Sequence, residues 1–382
     1  LRESKKEIIG GTMMMPKYGD YYTNVAHYKT SVWGTKLKNS MEIADSLVTL
    51  GLDTSVRNWR GENYTINRRT GDERVGSINM MNRYSSTTTS SLKSTDTTNQ
   101  ATFAKVEKSF GKLDLEAGAR YDYTDVDSSD ITKLDKKYTA LNGNIFGIYN
   151  VDKDMKYFAG IGKSARVPDA RELYNTGGMG AQGNSDLEDT KNYEADLGFD
   201  KTIGSFNVRP KLFYSVLKDY IYNTGTNFEN IDGKIYGLDI SGFYFLTDNL
   251  SLDYGVAYQR GKKDEPLIGQ TDKDLAEIPP LKGNLALNYE MDKSKYTAEV
   301  VAVDSWDSYD ADVNEQELGG YALFNLKYNN QLHKNIGLTL GVDNVLDKTY
   351  ASTNMYKDIM YSTTTSFNDP GRYGYVNLKY SF

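Results

Sequence analysis

Apolar and polar residues alternate one by one along much of the chain. The pattern is most regular over residues 112–127, "KLDLEAGARYDYTDVD". The apolar positions on one side of this alternation are Leu113, Leu115, Ala117, Ala119, Tyr121 and Tyr123. A strand gathers positions spaced by two on a single surface, whereas a helix spreads them around its circumference. The pattern therefore predicts a β-strand at this place.

The same alternation recurs along the chain, from 48–57 to the final residues 371–382, "GRYGYVNLKYSF". Further examples occur at 155–162, 235–245, 284–291 and 336–343. The pattern predicts about 15 strands, or about 16 if a short strand lies near residues 6–11, and such numbers occur in bacterial outer-membrane barrels. No convincing amphipathic helix appears among these segments.

Connection lengths between the predicted strands also alternate. Short turns are predicted at 110–112, 151–154, 202–205, 246–249, 291–294 and 333–335. Long polar loops are predicted at 60–96, 128–137, 167–191, 223–233, 263–281, 305–318 and 351–370. Outer-membrane barrels have short periplasmic turns and longer extracellular loops, so this sorting favours a membrane barrel over a soluble sandwich.

The alternation has a physical reason in a membrane. In hydrocarbon every backbone N–H and C=O needs an internal partner, so a sheet can cross a bilayer only by closing on itself. Its lipid face is apolar, its lumen face is polar, and aromatic residues ring both interfaces. The chain has 31 Tyr, many near predicted strand ends, although Tyr is also common in strands generally. The fold class predicted is an all-β transmembrane antiparallel β-barrel.

Composition narrows the function. The net charge of −7 argues against a nucleic-acid binder. No stretch approaches the roughly 18 apolar residues of a transmembrane helix. Cysteine is absent, which excludes disulfides and thiolate metal sites. With 31 Tyr and 13 Phe against 7 Pro, the chain is too aromatic for a disordered protein.

Several short motifs occur in order along the chain. "ARVPDARELY" at 165–174 carries Arg166, Pro168, Glu172 and Tyr174. "GNSDLEDTKNYEADLGF" at 183–199, "EIPPLKGNLALNY" at 277–289 and "GVDNVLDKTY" at 341–350 follow, the last with Asn344 and Asp347. The chain ends on an aromatic strand and Phe382.

Together these motifs make residues 97–382 resemble the barrel domain of TonB-dependent outer-membrane receptors. Ser185 stands where the family usually has Pro, and Glu188 and Asp189 also depart from its pattern. The resemblance implies a barrel of about 22 strands, of which residues 1–382 would be the carboxy-terminal part, without the plug domain and signal peptide. A smaller closed barrel that shares the motifs is the alternative.

No catalytic or cofactor-binding residues are identified. The only histidines are His27 and His333, and no nucleophile elbow is visible. "GMGAQG" at 178–183 has dinucleotide-motif spacing but lies in a loop without a following helix. The acidic residues of 304–317 lack the spacing of a calcium loop, so we interpret them as a solvated face. The chain is therefore predicted not to be an enzyme and to have no resident cofactor.

Methionines concentrate in the predicted loops. Thioethers are soft ligands that select Cu(I), and residues 13–39 resemble the first-loop region of the copper-receptor branch of the family. The alternative is that methionine only packs folded loops. The predicted metal-binding residues are Met13, Met14, Met15, His27, Met80, Met81 and Met179.

The function predicted is TonB-dependent active uptake of a scarce nutrient across the outer membrane of a Gram-negative bacterium. The cargo is copper, another metal or a metal chelate, with a ferric-siderophore receptor or a passive porin-like channel as alternatives. The expected partners are outer-membrane lipid, the TonB energy-transducing complex acting through the plug, and the metal or chelate. No nucleic acid is expected.

Overall fold

The computed structural model describes most of the chain. The described residues are 2–15, 20–67, 73–75, 77–78, 84–85, 92–130, 132–175, 181–313, 315–352, 357–358, 363–364 and 368–381. Side chains are described within 29–61, 94–130, 132–175, 181–313, 315–352 and 368–381.

Sixteen strands of eight residues or more form the described part of the fold. They are β1 (Arg2–Met15), β2 (Asp20–Ile43), β3 (Ser46–Asn67), β4 (Leu92–Phe110), β5 (Leu113–Ser128), β6 (Lys136–Asp152), β7 (Met155–Arg166), β8 (Thr190–Ile203), β9 (Phe206–Asn223), β10 (Phe228–Thr247), β11 (Leu250–Lys263), β12 (Lys282–Met291), β13 (Ser294–Val303), β14 (Tyr321–His333), β15 (Ile336–Asp343) and β16 (Tyr373–Tyr380).

Each long strand pairs antiparallel with the next one along the chain, so that all of them belong to one sheet. The short strand Glu73–Val75 adds to β3. Two further two-residue pairings join 77–78 to 84–85 and 357–358 to 363–364. The helix α1 (Ala170–Tyr174) is five residues long, and no membrane-crossing helix occurs among the described residues. The predicted all-β antiparallel fold and its number of strands are confirmed.

The predicted alternation of connections is confirmed as well. Two-residue turns join the strands at 44–45, 111–112, 153–154, 204–205, 248–249, 292–293 and 334–335. Gly111 and Gly204 have positive φ in their turns, as tight hairpins with the twist of a sheet require. We call this side of the sheet the turn end and the opposite side, with the longer connections, the loop end.

The predicted loop at 60–96 is shorter than expected, because strands reach Asn67 and resume at Leu92, and the loop predicted at 223–233 is wrong in its length. The connection expected at 223–233 has only four residues, 224–227. Pairing between β9 and β10 resumes after a bulge at Leu217/Tyr220 and continues to Asn223 opposite Phe228. A bulge absorbs the register change and lets the ladder continue, so polar residues that suggested a loop lie in strands.

The two faces of the sheet differ in chemistry. Residues directly opposite each other share a face, and Ile145 lies opposite both Ala117 and Ile161. Ile145 is 55% and Ile161 62% exposed. A soluble protein rarely exposes so continuous a set of large apolar side chains. We call this surface the apolar face.

The other surface, the polar face, carries paired charges. Arg120 contacts Asp53 at 3.2 Å and Asp122 at 2.8 Å. Lys211 contacts Asp196 at 2.8 Å on the same face. Alternation of apolar and polar residues along strands such as β5 and β12 separates the two surfaces, as in a sheet with hydrocarbon outside and polar groups inside.

Exposed tyrosines border the apolar face near both strand ends. Those near the turn end include Tyr149, Tyr157, Tyr244, Tyr289 and Tyr296. Those toward the loop end include Tyr121, Tyr193, Tyr214, Tyr236 and Tyr258. Several are neighbours across strands: the ring centroids of Tyr296 and Tyr328 lie 5.0 Å apart. This arrangement matches the aromatic girdles of membrane barrels.

The packed hydrophobic interior lies at the loop end. One cluster joins strand residues such as Val126 and Ile221 to Leu173 and Leu187 of the 167–189 connection. A second joins Leu217 to Leu275 and Val313 of the next two long connections. The connections 167–189, 264–281 and 304–320 therefore pack on the sheet as a folded cap.

A buried ion pair holds this cap together. Lys263 and Asp310 are fully buried and form a salt bridge, and the Tyr222 hydroxyl donates to Asp310 at 2.5 Å. Glu315 accepts the backbone N–H groups of Asp310, at 2.8 Å, and Glu277, at 2.6 Å. Burial raises the pKa of Glu315. The network links β9 and β11 to the 264–281 and 304–320 loops.

The interpretation of the acidic residues in 304–317 as a solvated face is therefore wrong in part. Asp304, Asp307, Asp312 and Glu317 are exposed. Asp310 and Glu315 are 0% and 3% exposed. A buried carboxylate requires a charged partner or hydrogen-bond donors, and these come from residues distant in sequence.

Two adjacent positions test the assignment of faces. Ile145→Arg should reduce the free energy of unfolding in lipid vesicles by about 2–4 kcal/mol, because it places a charge at mid-depth in hydrocarbon. Asn144→Arg is the matched control, since Asn144 lies on the polar face and donates to Glu116 at 3.3 Å. Urea titration in vesicles measures both, and equal losses would contradict the assignment.

The buried ion pair can be tested by removing one partner. Lys263→Met leaves Asp310 without its cation, and loss of one member of a buried pair costs about 3–5 kcal/mol. Hydrogen exchange in 264–281 and 304–320 should rise, and Lys263→Met/Asp310→Leu should restore much of the protection. Lys295→Met is the control, because its partner Glu290 is 62% exposed and surface pairs contribute only about 0–1 kcal/mol. Unchanged exchange in Lys263→Met would show that the pair does not hold the cap.

Candidate functional site

The first family-like motif forms the entry to the 167–189 connection. The Arg166 guanidinium contacts both carboxylate oxygens of Glu172, at 2.8 and 3.1 Å. Glu172 also accepts the Asp169 backbone N–H at 2.8 Å, while Asp169 caps α1. This is a capping box, which satisfies the free N–H groups of a helix start. Pro168 is fully buried beside it.

Tyr174 fixes the other end of this short helix. Its side chain is 2% exposed, and its hydroxyl donates to the Leu134 carbonyl at 2.6 Å. Burial raises the pKa of Tyr174 to about 12. The contacts of Arg166 and Glu172 thus shape the start of the connection, and Tyr174 ties it to the 129–135 loop.

The last family-like motif, at 341–350, forms the start of the 344–372 connection. Asn344 has a φ of 51° and is 2% exposed. Its side chain accepts from the Lys348 N–H and donates to the Lys348 carbonyl, both at 2.8 Å. Asp347 accepts the Arg372 N–H at 2.8 Å. Asn and Asp tolerate this left-handed backbone, so the motif shapes a loop. Phe382 lies outside the described residues.

The predicted methionines are only partly covered by the structure. Met80, Met81 and Met179 lie outside the described residues. The backbone of Met13–Met15 is described, and it pairs with Asp20–Tyr22 at the end of the β1–β2 hairpin. His27 pairs with Glu7 on the same hairpin. Tyr21, opposite Met14, is six residues from His27, roughly 20 Å along a strand.

Among the described residues, no group of three or more His, Asp or Glu could hold a metal ion. The described surfaces that a ligand could meet are the folded cap at the loop end, the polar face of the sheet, and the cavities between the two.

A polar recess lies on the polar face of β11–β15. It is lined by residues that include Asp253, Asn288, Glu299, Asn325 and Lys327. The Asn288 amide donates to Asp253 at 2.8 Å, and the Asn325 amide donates to Glu299 at 3.1 Å. The carboxylate, amide and ammonium groups of this recess can each form further hydrogen bonds. The recess therefore suits water or another polar molecule.

Sequence reasoning missed two features of the loop end. One is the Lys263–Asp310 pair. The only hint of this pair in the sequence is the lysine at the end of a strand. The other is a small cavity lined by Lys282, Trp306 and Tyr321. The "EIPPLKGNLALNY" motif at 277–289 contains Lys282, but nothing in the sequence joins it to Trp306.

The fold resembles those of several solved structures. The copper transporter OprC shares 20% identity with a TM-score of 0.77, and the match covers 95% of this chain and 60% of that one. The FrpB iron transporter from Neisseria meningitidis (F3-3 variant) shares 14% identity with a TM-score of 0.69, covering 100% and 63%. The ferripyoverdine receptor of the Pseudomonas aeruginosa outer membrane shares 14% with a TM-score of 0.68, covering 98% and 52%.

At these identities the likeness shows the fold, and the chain spans less than two thirds of each solved structure. A comparison with curated protein sequences finds no significant match. Residues 10–345 match the family model described as TonB dependent receptor-like, beta-barrel. Most of the chain lies within that match, and so the protein belongs to the TonB-dependent receptor β-barrel family.

Proposed function

We propose that residues 1–382 are the barrel portion of a receptor in the outer membrane of a Gram-negative bacterium. It takes up a metal or a metal chelate by TonB-dependent active transport, with copper as the leading cargo. The observation that carries this proposal is the sheet itself: an exposed apolar face, a charged polar face and folded loops at one end only.

Each part of this architecture has a transport role. The apolar face meets outer-membrane lipid, and its tyrosines lie at the interfaces. The loops at the loop end meet the ligand first, and the polar face offers a wet path across the hydrocarbon. Energy reaches such a barrel from the TonB complex through a plug domain, so no covalent chemistry is needed.

Copper is the leading cargo for two reasons. Methionine thioethers select Cu(I) over harder ions, and the chain has three consecutive methionines at the end of its first hairpin. The copper transporter OprC is among the proteins with the same fold. The FrpB iron transporter and the ferripyoverdine receptor share it too, which keeps a ferric-siderophore receptor as the second candidate.

Cargo identity can be tested through the methionines. Replacing Met13, Met14, Met15, Met80 and Met81 with Leu should weaken Cu(I) binding to the full-length protein at least about tenfold, because Leu keeps the bulk and removes the soft donor. His27→Ala should have a smaller effect because of its distance along the hairpin. Competition with a Cu(I) chelator and metal analysis measure both.

Met155 and Met291 provide the matched control, since both lie at the turn end. Their change to Leu should leave Cu(I) affinity unchanged. Equal Cu(I) binding by the loop variant and the wild type would reject the copper site, and loss of growth on ferric chelates in a deletion strain would then support the second candidate.

Active transport is distinguished from passive exchange by its need for energy. Uptake by cells expressing the full-length protein should stop when TonB is deleted, and the purified protein should show little ion conductance in a planar bilayer. TonB-independent uptake together with steady conductance would identify a porin-like channel instead.

A further inference from the structure

Basic residues form a layer on the apolar face at the loop end. Lys163 of β7 lies opposite Tyr193 of β8, and Tyr193 lies opposite Val216 of β9. Val216 lies opposite Lys234 of β10, which in turn lies opposite Lys262 of β11. Residues directly opposite each other share a face, and the exposed Tyr193 places this row on the apolar face. Three cations of the row therefore point to the same side of the sheet.

Three further cations lie on the same face within two positions of this row. Lys191 is two positions from Tyr193 and lies directly opposite Lys218. Arg260 lies opposite Tyr236, another exposed tyrosine of the apolar face. The six residues, which we call the basic belt, come from the five consecutive strands β7 to β11 and are Lys163, Lys191, Lys218, Lys234, Arg260 and Lys262.

The basic belt follows the tyrosines of the loop end, on the side toward the loops. The order of tyrosine and then cation recurs at positions two apart on three strands: Tyr193 and Lys191 on β8, Tyr236 and Lys234 on β10, and Tyr258 and Arg260 on β11. Tyrosine rings mark the boundary between hydrocarbon and headgroups. Lys and Arg stems cover apolar surface while their charges reach water. The charges of the belt therefore lie at the depth of lipid headgroups.

The turn ends of the same five strands are different. These strands are described in full, and their last residues on the apolar face are Met155, Ile203, Phe206, Leu246 and Leu250. Lys201, opposite Met155, adds one cation to this end. The layer of cations is thus a property of the loop end and not of strand ends in general.

Carboxylates contact the basic belt from the loop side. Four of the six cations have such a partner: Lys191 with Asp219 at 2.8 Å, Lys218 with Asp232 at 2.6 Å, Lys234 with Asp264 at 3.9 Å and Lys262 with Asp274 at 2.6 Å. Asp264 and Asp274 belong to the 264–281 connection, and Asp232 is nearer to the loop end than Lys234. Exposed ion pairs hold their members weakly, so the ammonium groups keep donors for a further anion. Lys163 and Arg260 have no ion-pair partner in the part of the chain that the structure describes.

Two pairs of cations within the belt face each other directly. Lys191 lies opposite Lys218, and Lys234 lies opposite Lys262. Like charges at opposite positions destabilise a sheet, and an anion between them would relieve this cost. Phosphate oxygens accept charge-assisted hydrogen bonds from both ammonium and guanidinium groups. A phosphate at headgroup depth therefore suits the charge and the donors of the belt.

We propose that the basic belt binds the phosphate groups of membrane lipids in the leaflet at the loop end. The acyl chains lie along the apolar face, and the phosphates lie between the tyrosines and the carboxylates of the loops. Basic residues near headgroup depth attract anionic lipids, and the belt supplies six of them on neighbouring strands. This assignment rests on the proposed outer-membrane function and deepens it by naming the chemical group of the lipid partner.

The test compares two lipids with the same acyl chains, dioleoyl phosphatidate and dioleoylglycerol, of which only the first has a phosphate. Native mass spectrometry of the full-length protein in detergent should show stronger retention of phosphatidate. Lys163→Gln/Arg260→Gln removes the two cations without carboxylate partners and leaves the four ion pairs intact. It should weaken phosphatidate binding about 25-fold, at roughly fivefold for each cation.

Lys201→Gln/Lys108→Gln is the matched control, because both lysines lie on the apolar face at the turn end. It removes the same amount of charge and should leave phosphatidate binding unchanged. Circular dichroism of both double variants checks that the barrel remains folded.

Equal retention of the two lipids, or equal weakening by the two double variants, would overturn the assignment. Displacement of phosphatidate by inorganic phosphate would also overturn it, because the belt would then bind a free anion and not a membrane lipid. Uptake measured in cells is a separate readout. Retained TonB-dependent uptake without a preference for phosphatidate rejects only the lipid site, and phosphatidate binding without such uptake rejects only the proposed transport.

Discussion

The architecture depends on one constraint, which is that every backbone N–H and C=O in hydrocarbon must be paired within the protein. In this chain the pairing is made between neighbours: each long strand forms a ladder with the strand that follows it. Such a sheet needs no dry core between its faces. One face can therefore be apolar toward lipid, and the other can carry charges such as Arg120 and Asp53.

The same constraint explains why the two ends of the sheet differ. Consecutive antiparallel strands require only two residues to reverse direction, and the turn end has little else. At the loop end, the backbone leaves the ladder for up to 29 residues, from 344 to 372. Polar backbone groups there must find other partners, and the capping box of Asp169 and the Asn344 turn supply them.

The family-like motifs have a structural explanation in this arrangement. Arg166, Glu172, Asn344 and Asp347 form the hydrogen bonds that begin and end loops. These residues therefore shape the loops at the loop end.

The sequence by itself determined the strands, the turns and their order, because the period of two and the turn residues act within a few positions of each other. It also determined the sorting into two faces, since register follows from alternation. Its errors came from longer range: the connection expected at 223–233 became four residues because β10 offered partners to the end of β9.

Only the tertiary structure decided the contents of the loop end. Lys263 and Asp310 are 47 positions apart, and Lys282 and Trp306 come from different strands and loops that meet around one cavity. Burial turns Asp310 from a solvated acid into half of an ion pair, and it leaves the Trp306 indole without an acceptor in the part of the chain that the structure describes. Whether a polar side chain is solvated, paired or unsatisfied depends on neighbours brought together by folding, and local sequence does not specify them.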